Sequence, residues 1–272
     1  YDGEGLLIDC GEGTQRQMKL AGLKSTKIKK ILITHWHGDH VLGLPGLLQS
    51  MASDNYSETL QIFGPSGTKD SIEKMFSWFK AAQKPKIKVI EINEDGICSE
   101  DKTYEIYAFH TKHGVPSVAY RIEEKDRRKL NKRYISANQI PDGPLLGRLQ
   151  RGYDIQYNGK TILSEDATSI VRGRKVAFVM DTMITKNCFF TAQDADLLVI
   201  EATYAADMPE HAKKYKHLTV ENTTEIANKC SVKKMILTHF SQRYKETSTM
   251  LMQARKEFEN TYASKDFMRI KI

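Results

Sequence analysis

The stretch Lys29-Lys30-Ile31-Leu32-Ile33-Thr34-His35-Trp36-His37-Gly38-Asp39-His40 decides how the chain is read. Its first half is a short, basic-flanked apolar run of the kind that forms a buried strand. Its second half places His35, His37, Asp39 and His40 directly after that run. The C-terminal end of a strand is a rigid platform from which a turn can aim alternate side chains at one point. Imidazole nitrogens and carboxylate oxygens are ligands that Zn²⁺ accepts. Four such donors exceed the three protein ligands usual for one catalytic zinc, so the block points to two metals.

Working outward, the block has an echo. Lys233-Lys234-Met235-Ile236-Leu237-Thr238-His239 repeats a basic-flanked apolar run ending in Thr-His. Asp181 ends another such run (175–180), and both His110 and His113 follow the run 104–109. Each alone reads equally well as a turn or core residue, but their repeated placement after buried strands favours one shared site. The spacing does not choose between His110 and His113. Further strands are expected at 6–9, 60–63, 86–92, 117–122, 197–200 and 267–272. Asn158-Gly159 predicts a two-residue hairpin turn. Helices are expected over 69–82, from the Thr219 cap to Cys230, and over 247–262. Strands interleaved with helices, in two matched halves, give an α/β class: two sheets packed between helices, an αββα sandwich.

Composition limits the alternatives. With 272 residues and 40% hydrophobic content the chain can bury a real core, which excludes disordered, collagen-like and disulfide-scaffold classes. No apolar run approaches the length of a membrane span, so no membrane partner is expected. The four cysteines are scattered singly, which suits a reducing, cytoplasmic compartment. Forty-one Lys and Arg against 34 Asp and Glu leave a net charge of +7, and the isoelectric point is near 9.0. The excess is concentrated: nine basic residues face four acidic ones between 121 and 151, around the breaker cluster Pro141-Asp142-Gly143-Pro144. Charge alone leaves that stretch equally readable as a solvated loop or as an arm gripping phosphates.

His-x-His-x-Asp-His is the signature of the metallo-β-lactamase superfamily, and the wider chain resembles its tRNA 3′-processing branch, tRNase Z. The likeness runs through Leu7-Ile8-Asp9-Cys10-Gly11-Glu12-Gly13-Thr14-Gln15, Gly43-Leu44-Pro45-Gly46-Leu47 and Lys112-His113-Gly114-Val115-Pro116-Ser117. It continues in Gly143-Pro144-Leu145, Glu201-Ala202-Thr203, His217-x-Thr219 and His239-Phe240-Ser241-Gln242-Arg243-Tyr244. The resemblance implies one zinc on His35, His37 and His113, a second on Asp39, His40 and His239, and Asp181 bridging, with Mn²⁺ as a possible substitute. It chooses His113 over His110. It implies Asp39 as general base or nucleophile-orienting group. An imidazole beside a carboxylate can stay protonated near neutrality, so His217 backed by Glu201 is the candidate acid for the leaving 3′-oxygen, with a polar helix-capping residue as the plain alternative. Arg243, four past His239, is a candidate phosphate contact, with an ion pair as its plain alternative. The stretch of about 123–152 becomes the family's flexible arm, with Arg127, Arg128, Lys129, Lys132, Arg133, Gly143, Pro144 and Arg148 expected to contact precursor tRNA. The implied protein is a single domain carrying that arm, commonly a homodimer, whose activity removes the 3′ trailer and leaves a 3′-hydroxyl. Family strands are expected to precede Tyr1. Two rivals share parts of this pattern. A small-molecule hydrolase would have the ligands without the arm, and an RNA-binding module would lack the metals. The chain departs from the family pattern around Asp181, where Met180 and Met183 replace the usual Gly and Arg. It departs again where Ile200 replaces His and Leu218 replaces Ser.

Overall fold

In the computed structural model, which describes residues 3–80 and 84–272, the apolar run before the histidine block lies inside a parallel sheet. That sheet comprises Gly5–Ile8 (β1), Ile28–Leu32 (β2), Thr59–Pro65 (β3) and Lys86–Ile92 (β4), in the order β1-β2-β3-β4. The chain then builds Gly96–Glu100 (β5), Tyr104–Lys112 (β6) and Pro116–Glu124 (β7). Next come Arg127–Leu130 (β8), Ile155–Tyr157 (β9), Lys160–Ile162 (β10) and Thr168–Val171 (β11). Lys175–Val179 (β12), Leu197–Glu201 (β13), Met235–Thr238 (β14) and Thr261–Ala263 (β15) follow. The second large sheet has seven strands, ordered β15-β14-β13-β12-β7-β6-β5.

Two compact units divide these elements. One comprises Tyr1–Glu100, Ile106–Ile122 and Lys175–Ile272; the other, Asp101–Glu105 and Glu123–Arg174. In the larger unit, alternation along β2 sends Ile31 and Ile33 toward Leu44, Leu47, Leu48 and Met51 of the helix Leu44–Ser53, and toward Ile72 and Met75 of Thr68–Ser77. On the other sheet, Ala177, Leu198, Ile200 and Leu237 pack against Cys188, Ile226, Ala227 and Met250 from three further helices. Burying each Leu, Ile or Met contributes about 1.5–3 kcal/mol. The segment just after β2 is tied to β7 by Val118 N–H, which donates to the Thr34 carbonyl (2.9 Å), and by Tyr120, fully buried, whose hydroxyl donates to the Ile33 carbonyl (2.9 Å). Helices, sheet, sheet, helices: this is the expected αββα sandwich.

Three expected elements come out differently. Residues 267–272 form no strand, because Phe267 takes φ 62° in a turn closed by Met268 N–H on the Lys265 carbonyl. The helix expected over 247–262 ends at Glu257, and Thr261–Ala263 instead pairs parallel with β14 as the sheet edge. The helix expected over 69–82 is Thr68–Ser77, and positions 81 and 82 lie outside the described residues.

The smaller unit has its own apolar cluster of Ile140, Leu149, Ile155, Ile162 and Ala167. Its basic strand β8 pairs antiparallel with β11, and β9 pairs with β10 around Asn158 (φ 48°) and Gly159 (φ 73°), the predicted hairpin. The folded insert is therefore longer than the stretch 123–152, since β8 finds its partner only at 168–171.

Candidate metal centre

The donors converge because the strands that carry them end at one rim of the larger unit. His35, His37, Asp39 and His40 follow β2, with His40 in the short helix Gly38–Val41; His113 follows β6, Asp181 follows β12, and His239 follows β14. Two glycines allow the histidine block to sit this close to the loop after β1. A Cβ on Gly11 would lie 2.2 Å from the Asp39 carbonyl oxygen, and one on Gly43 would lie 1.9 Å from that of Gly11. Cys10 N–H donates to the His40 carbonyl (2.7 Å), and Gly43 N–H donates to that of Cys10 (2.9 Å).

Two pockets of donors share one carboxylate. His37 Nδ1 stands 3.1 Å from His35 Nε2 and 3.2 Å from His113 Nε2, while Asp181 Oδ2 lies 3.7 and 3.8 Å from the latter two nitrogens. On the other side, Asp181 Oδ1 lies 3.5 Å from His40 Nε2 and 3.3 Å from His239 Nε2. Asp39 Oδ2 approaches those same nitrogens at 3.6 and 3.5 Å. His40 Nε2 and Asp181 Oδ1 are buried with no hydrogen-bond partner. With a neutral imidazole these are two buried acceptors aimed at one another, costly unless a proton or a cation sits between them, so this donor set fits metal binding.

The outward-facing nitrogens are fixed from behind. Thr34 donates its N–H to Asp9 Oδ1 (2.7 Å) and its hydroxyl to Asp9 Oδ2 (2.8 Å), leaving the Thr34 oxygen to accept from His35 Nδ1 (3.1 Å). His40 Nδ1 donates to Asp9 Oδ2 (2.7 Å), and His113 Nδ1 to the Lys216 carbonyl (3.0 Å). Each bond leaves Nε2 free for a metal, the usual arrangement for ligating histidines. Asp9 holds both Thr34 and His40 from behind, a place to which no sequence signal assigns it. Its φ of 54° puts a non-glycine residue in the left-handed region, a conformation Asp tolerates better than most.

The electrostatics follow from burial and these neighbours. Burial first, and then the charge of His40, push the His35 imidazole down to about 2. Burial also lowers His113. It would lower His40 too, but the Asp181 and Asp9 carboxylates outweigh it and raise that pKa to about 10. Burial would raise Asp181, yet His40, His239 and His35 hold it well below the usual carboxylate range. A spot that favours a proton this strongly is a spot built for positive charge, which a metal can supply by displacing that proton.

His217 and Glu201 sit beside the donors. Glu201 is fully buried; its Oε1 accepts from Thr182 N–H (2.9 Å) and from His217 Nδ1 (3.1 Å). Burial would lower the His217 pKa, but Glu201, then Asp181 and Asp39, raise it. The His217 ring packs 5.5 Å from that of His239 and 6.1 Å from Tyr204, over which the Arg243 guanidinium lies at 5.1 Å. His110 is elsewhere, bonded through Nδ1 to Asp95 (2.8 Å). Trp36 packs in the core and donates to Thr68 (2.9 Å). Arg127, Arg128 and Lys129 lie on β8. Lys132 and Arg133 open the helix Lys132–Ala137, while Gly143 caps Pro144–Gln150, which carries Pro144 and Arg148.

An αββα sandwich with a His/Asp cluster at its strand ends defines the metal-dependent hydrolases of the metallo-β-lactamase fold. The metallo-β-lactamase fold protein YhfI from Bacillus subtilis superposes with a TM-score of 0.68 at 18% identity, covering 98% of this chain and 86% of that one. The short form of human tRNase Z superposes with a TM-score of 0.67 at 25% identity, covering 100% and 90%. A model of the family "Anti-Pycsar protein Apyc1" matches residues 1–125. Ribonuclease Z of Ignicoccus hospitalis is 36% identical over 272 residues, all of this chain and 90% of the relative. The chain belongs to the ribonuclease Z family.

Proposed function

We propose that this chain is a zinc-dependent endoribonuclease that removes the 3′ trailer from precursor tRNA and leaves a 3′-hydroxyl on the tRNA. The observation that carries the reading is the donor cluster split by Asp181, with the separate His217–Glu201 pair beside it, in a chain of this family. His35, His37, His113 and Asp181 Oδ2 would hold one Zn²⁺, and Asp39, His40, His239 and Asp181 Oδ1 a second; Mn²⁺ suits the same nitrogen and oxygen donors. When bound, such ions supply positive charge to the phosphoryl oxygens and make water a stronger acid.

The chain's own groups supply the rest. Asp39, the most exposed of the carboxylates, orients the attacking water and accepts its proton. His217, kept protonated by Glu201, gives a proton to the departing ribose 3′-oxygen, so the phosphate stays on the trailer. Arg243 holds a flanking phosphate from its seat on Tyr204. Arg127, Arg128, Lys129, Lys132, Arg133, Gly143, Pro144 and Arg148 belong to an inserted arm that grips the tRNA backbone, borne by a single metallo-β-lactamase-like domain acting as a homodimer. The four free thiols suit a cytoplasmic setting, and among the described residues no helix is long and apolar enough to cross a membrane.

Incubation of the protein with 3′-extended tRNA and Zn²⁺, with the ends mapped, tests this. Wild type should release the trailer and His37→Ala should not; an unaffected variant would sink the metal role. Reversing Arg127, Lys129, Lys132 and Arg133 to Glu should weaken tRNA binding while sparing a small phosphodiester. It should also reduce the salt slope by about 0.7–0.9 for each phosphate that is no longer neutralised. Equal losses on both substrates would refute the arm.

A further inference from the structure

The Thr203 hydroxyl lies where three functional side chains meet. It stands 2.5 Å from Glu201 Oε2, 2.9 Å from His239 Nδ1, 3.0 Å from the His239 carbonyl oxygen and 3.3 Å from His217 Nδ1. We propose that Thr203 is a positioning residue which holds the Nδ1–H of both His239 and His217, so that His239 turns an unprotonated Nε2 and the protonated His217 its Nε2–H toward the reacting centre. The proposal rests on the reading of His239 as a metal ligand and His217 as the acid.

A hydroxyl has one proton to give and two lone pairs to receive. Glu201 is a fully buried carboxylate and the nearest acceptor, and a charge-assisted bond outcompetes the neutral His239 carbonyl. With its proton committed to Glu201, the Thr203 oxygen can only accept. The His239 Nδ1 facing it at 2.9 Å must then carry the hydrogen, which leaves Nε2 open toward Asp181 and Asp39. His217 Nδ1 is held by Glu201 Oε1 at 3.1 Å, with Thr203 as a second acceptor. The same carboxylate takes Thr182 N–H, next to the bridging Asp181. One buried carboxylate–hydroxyl pair therefore sets a metal ligand, the acid and the loop of the shared carboxylate together.

Backbone geometry makes the meeting possible. Parallel pairing puts Glu201 opposite Thr238, so Thr203 and His239 both fall just beyond the ends of adjacent strands. His239 then takes φ 56°, turning its ring back toward Thr203, and Ser241 N–H donates to the Thr203 carbonyl (3.2 Å). A merely packed threonine would need only its methyl group. The proposal needs the oxygen.

Thr203→Val keeps the shape and removes the oxygen; Thr203→Ser keeps the oxygen and removes the methyl. Zinc affinity by chelator competition, and imidazole tautomers by ¹⁵N NMR on the metal-free full chain, read the difference without substrate. Expected are a loss of zinc affinity of about 10–100-fold in Thr203→Val, loss of the Nδ1–H form of His239, and restoration of both by Thr203→Ser. Wild-type affinity and tautomer in Thr203→Val would overturn the proposal. So would Thr203→Ser failing as badly as Val. Should the Val variant not fold by circular dichroism, Thr203→Ala against Thr203→Ser makes the same comparison. Precursor-tRNA cleavage by wild type, run alongside, decides the trailer-removal reading separately, because zinc affinity and tautomer answer for Thr203 whether or not tRNA is cut.

Discussion

Asp9→Asn should weaken metal binding although Asp9 is itself none of the clustered donors. The Asp9 carboxylate receives three hydrogens: Thr34 N–H on Oδ1 (2.7 Å), and the Thr34 hydroxyl (2.8 Å) and His40 Nδ1–H (2.7 Å) on Oδ2. Asparagine has the same shape and tolerates the φ of 54°. Its oxygen can keep the Thr34 N–H, but its amide group must then stand where Oδ2 stood, as a donor facing two former donors. The Thr34 hydroxyl can rotate. His40 can adapt only by moving its proton to Nε2, the atom that faces Asp181 and Asp39 at 3.5 and 3.6 Å. A hydrogen bond to a charged group contributes about 1.5–3 kcal/mol, and tenfold in affinity corresponds to about 1.4 kcal/mol. Losing this one should therefore weaken zinc binding about 10–100-fold, the range known for outer partners of ligating histidines. Competition against a chromophoric chelator near neutral pH measures it, with melts of the chelated proteins separating loss of fold from loss of metal. Two zincs bound at wild-type affinity in Asp9→Asn would refute the reasoning.

Two further outcomes follow from the same site. Gly43→Ala would place a Cβ 1.9 Å from the Gly11 carbonyl oxygen, so backbone must move beneath the histidine block. It should cost about 1–3 kcal/mol in chemical denaturation, whereas Gly147→Ala, with only a side-chain atom at 3.5 Å, should be neutral or slightly stabilising; equal melts would count against the close approach. In the chelated protein, His40 has a folded pKa raised to about 10 from an ordinary 6.5. Its stabilisation is fully present below 6.5 and is lost as pH rises through the window from 6.5 to about 10. The thermal midpoint should fall across that window, and His40→Ala should flatten the fall; an unchanged slope would show that the Asp9 and Asp181 pairings contribute nothing.

The fold was legible wherever burial dictates periodicity. The runs that became β2, β12, β13 and β14 are apolar because sheets and helices cover both their faces, and such strands advertise themselves without alternation. The Asn158-Gly159 turn was legible because left-handed backbone at both positions selects those residue types. Strands β8 and β11 were not, because Arg127, Arg128 and Lys129 carry no apolar signal and their pairing partner lies some forty positions away. Residues 267–272 misled for the opposite reason. Phe267, Met268 and Ile272 look like a strand, yet all three are exposed, and Thr261–Ala263 takes the sheet edge.

The site divides along a similar line. Candidate donors announce themselves because metal binding favours a few residue types and strand ends restrict where they stand, so His35, His37, Asp39, His40, Asp181 and His239, which the fold brings into one cluster, could be picked out as candidates from sequence. The groups that orient those ligands obey no such restriction: any acceptor at the right place can hold an Nδ1–H. In this chain they are a carboxylate after β1, a hydroxyl after β13 and the backbone carbonyl of Lys216. Asp9 lies 31 positions from His40, and Thr203 lies 36 from His239. These separations arise from strand order, through β1 beside β2 and β13 beside β14. The Nδ1 contacts of these histidines are therefore a property of sheet topology, and on the proposed metal-binding reading a substitution that shifts strand register without touching a donor should disturb metal binding as surely as removing one.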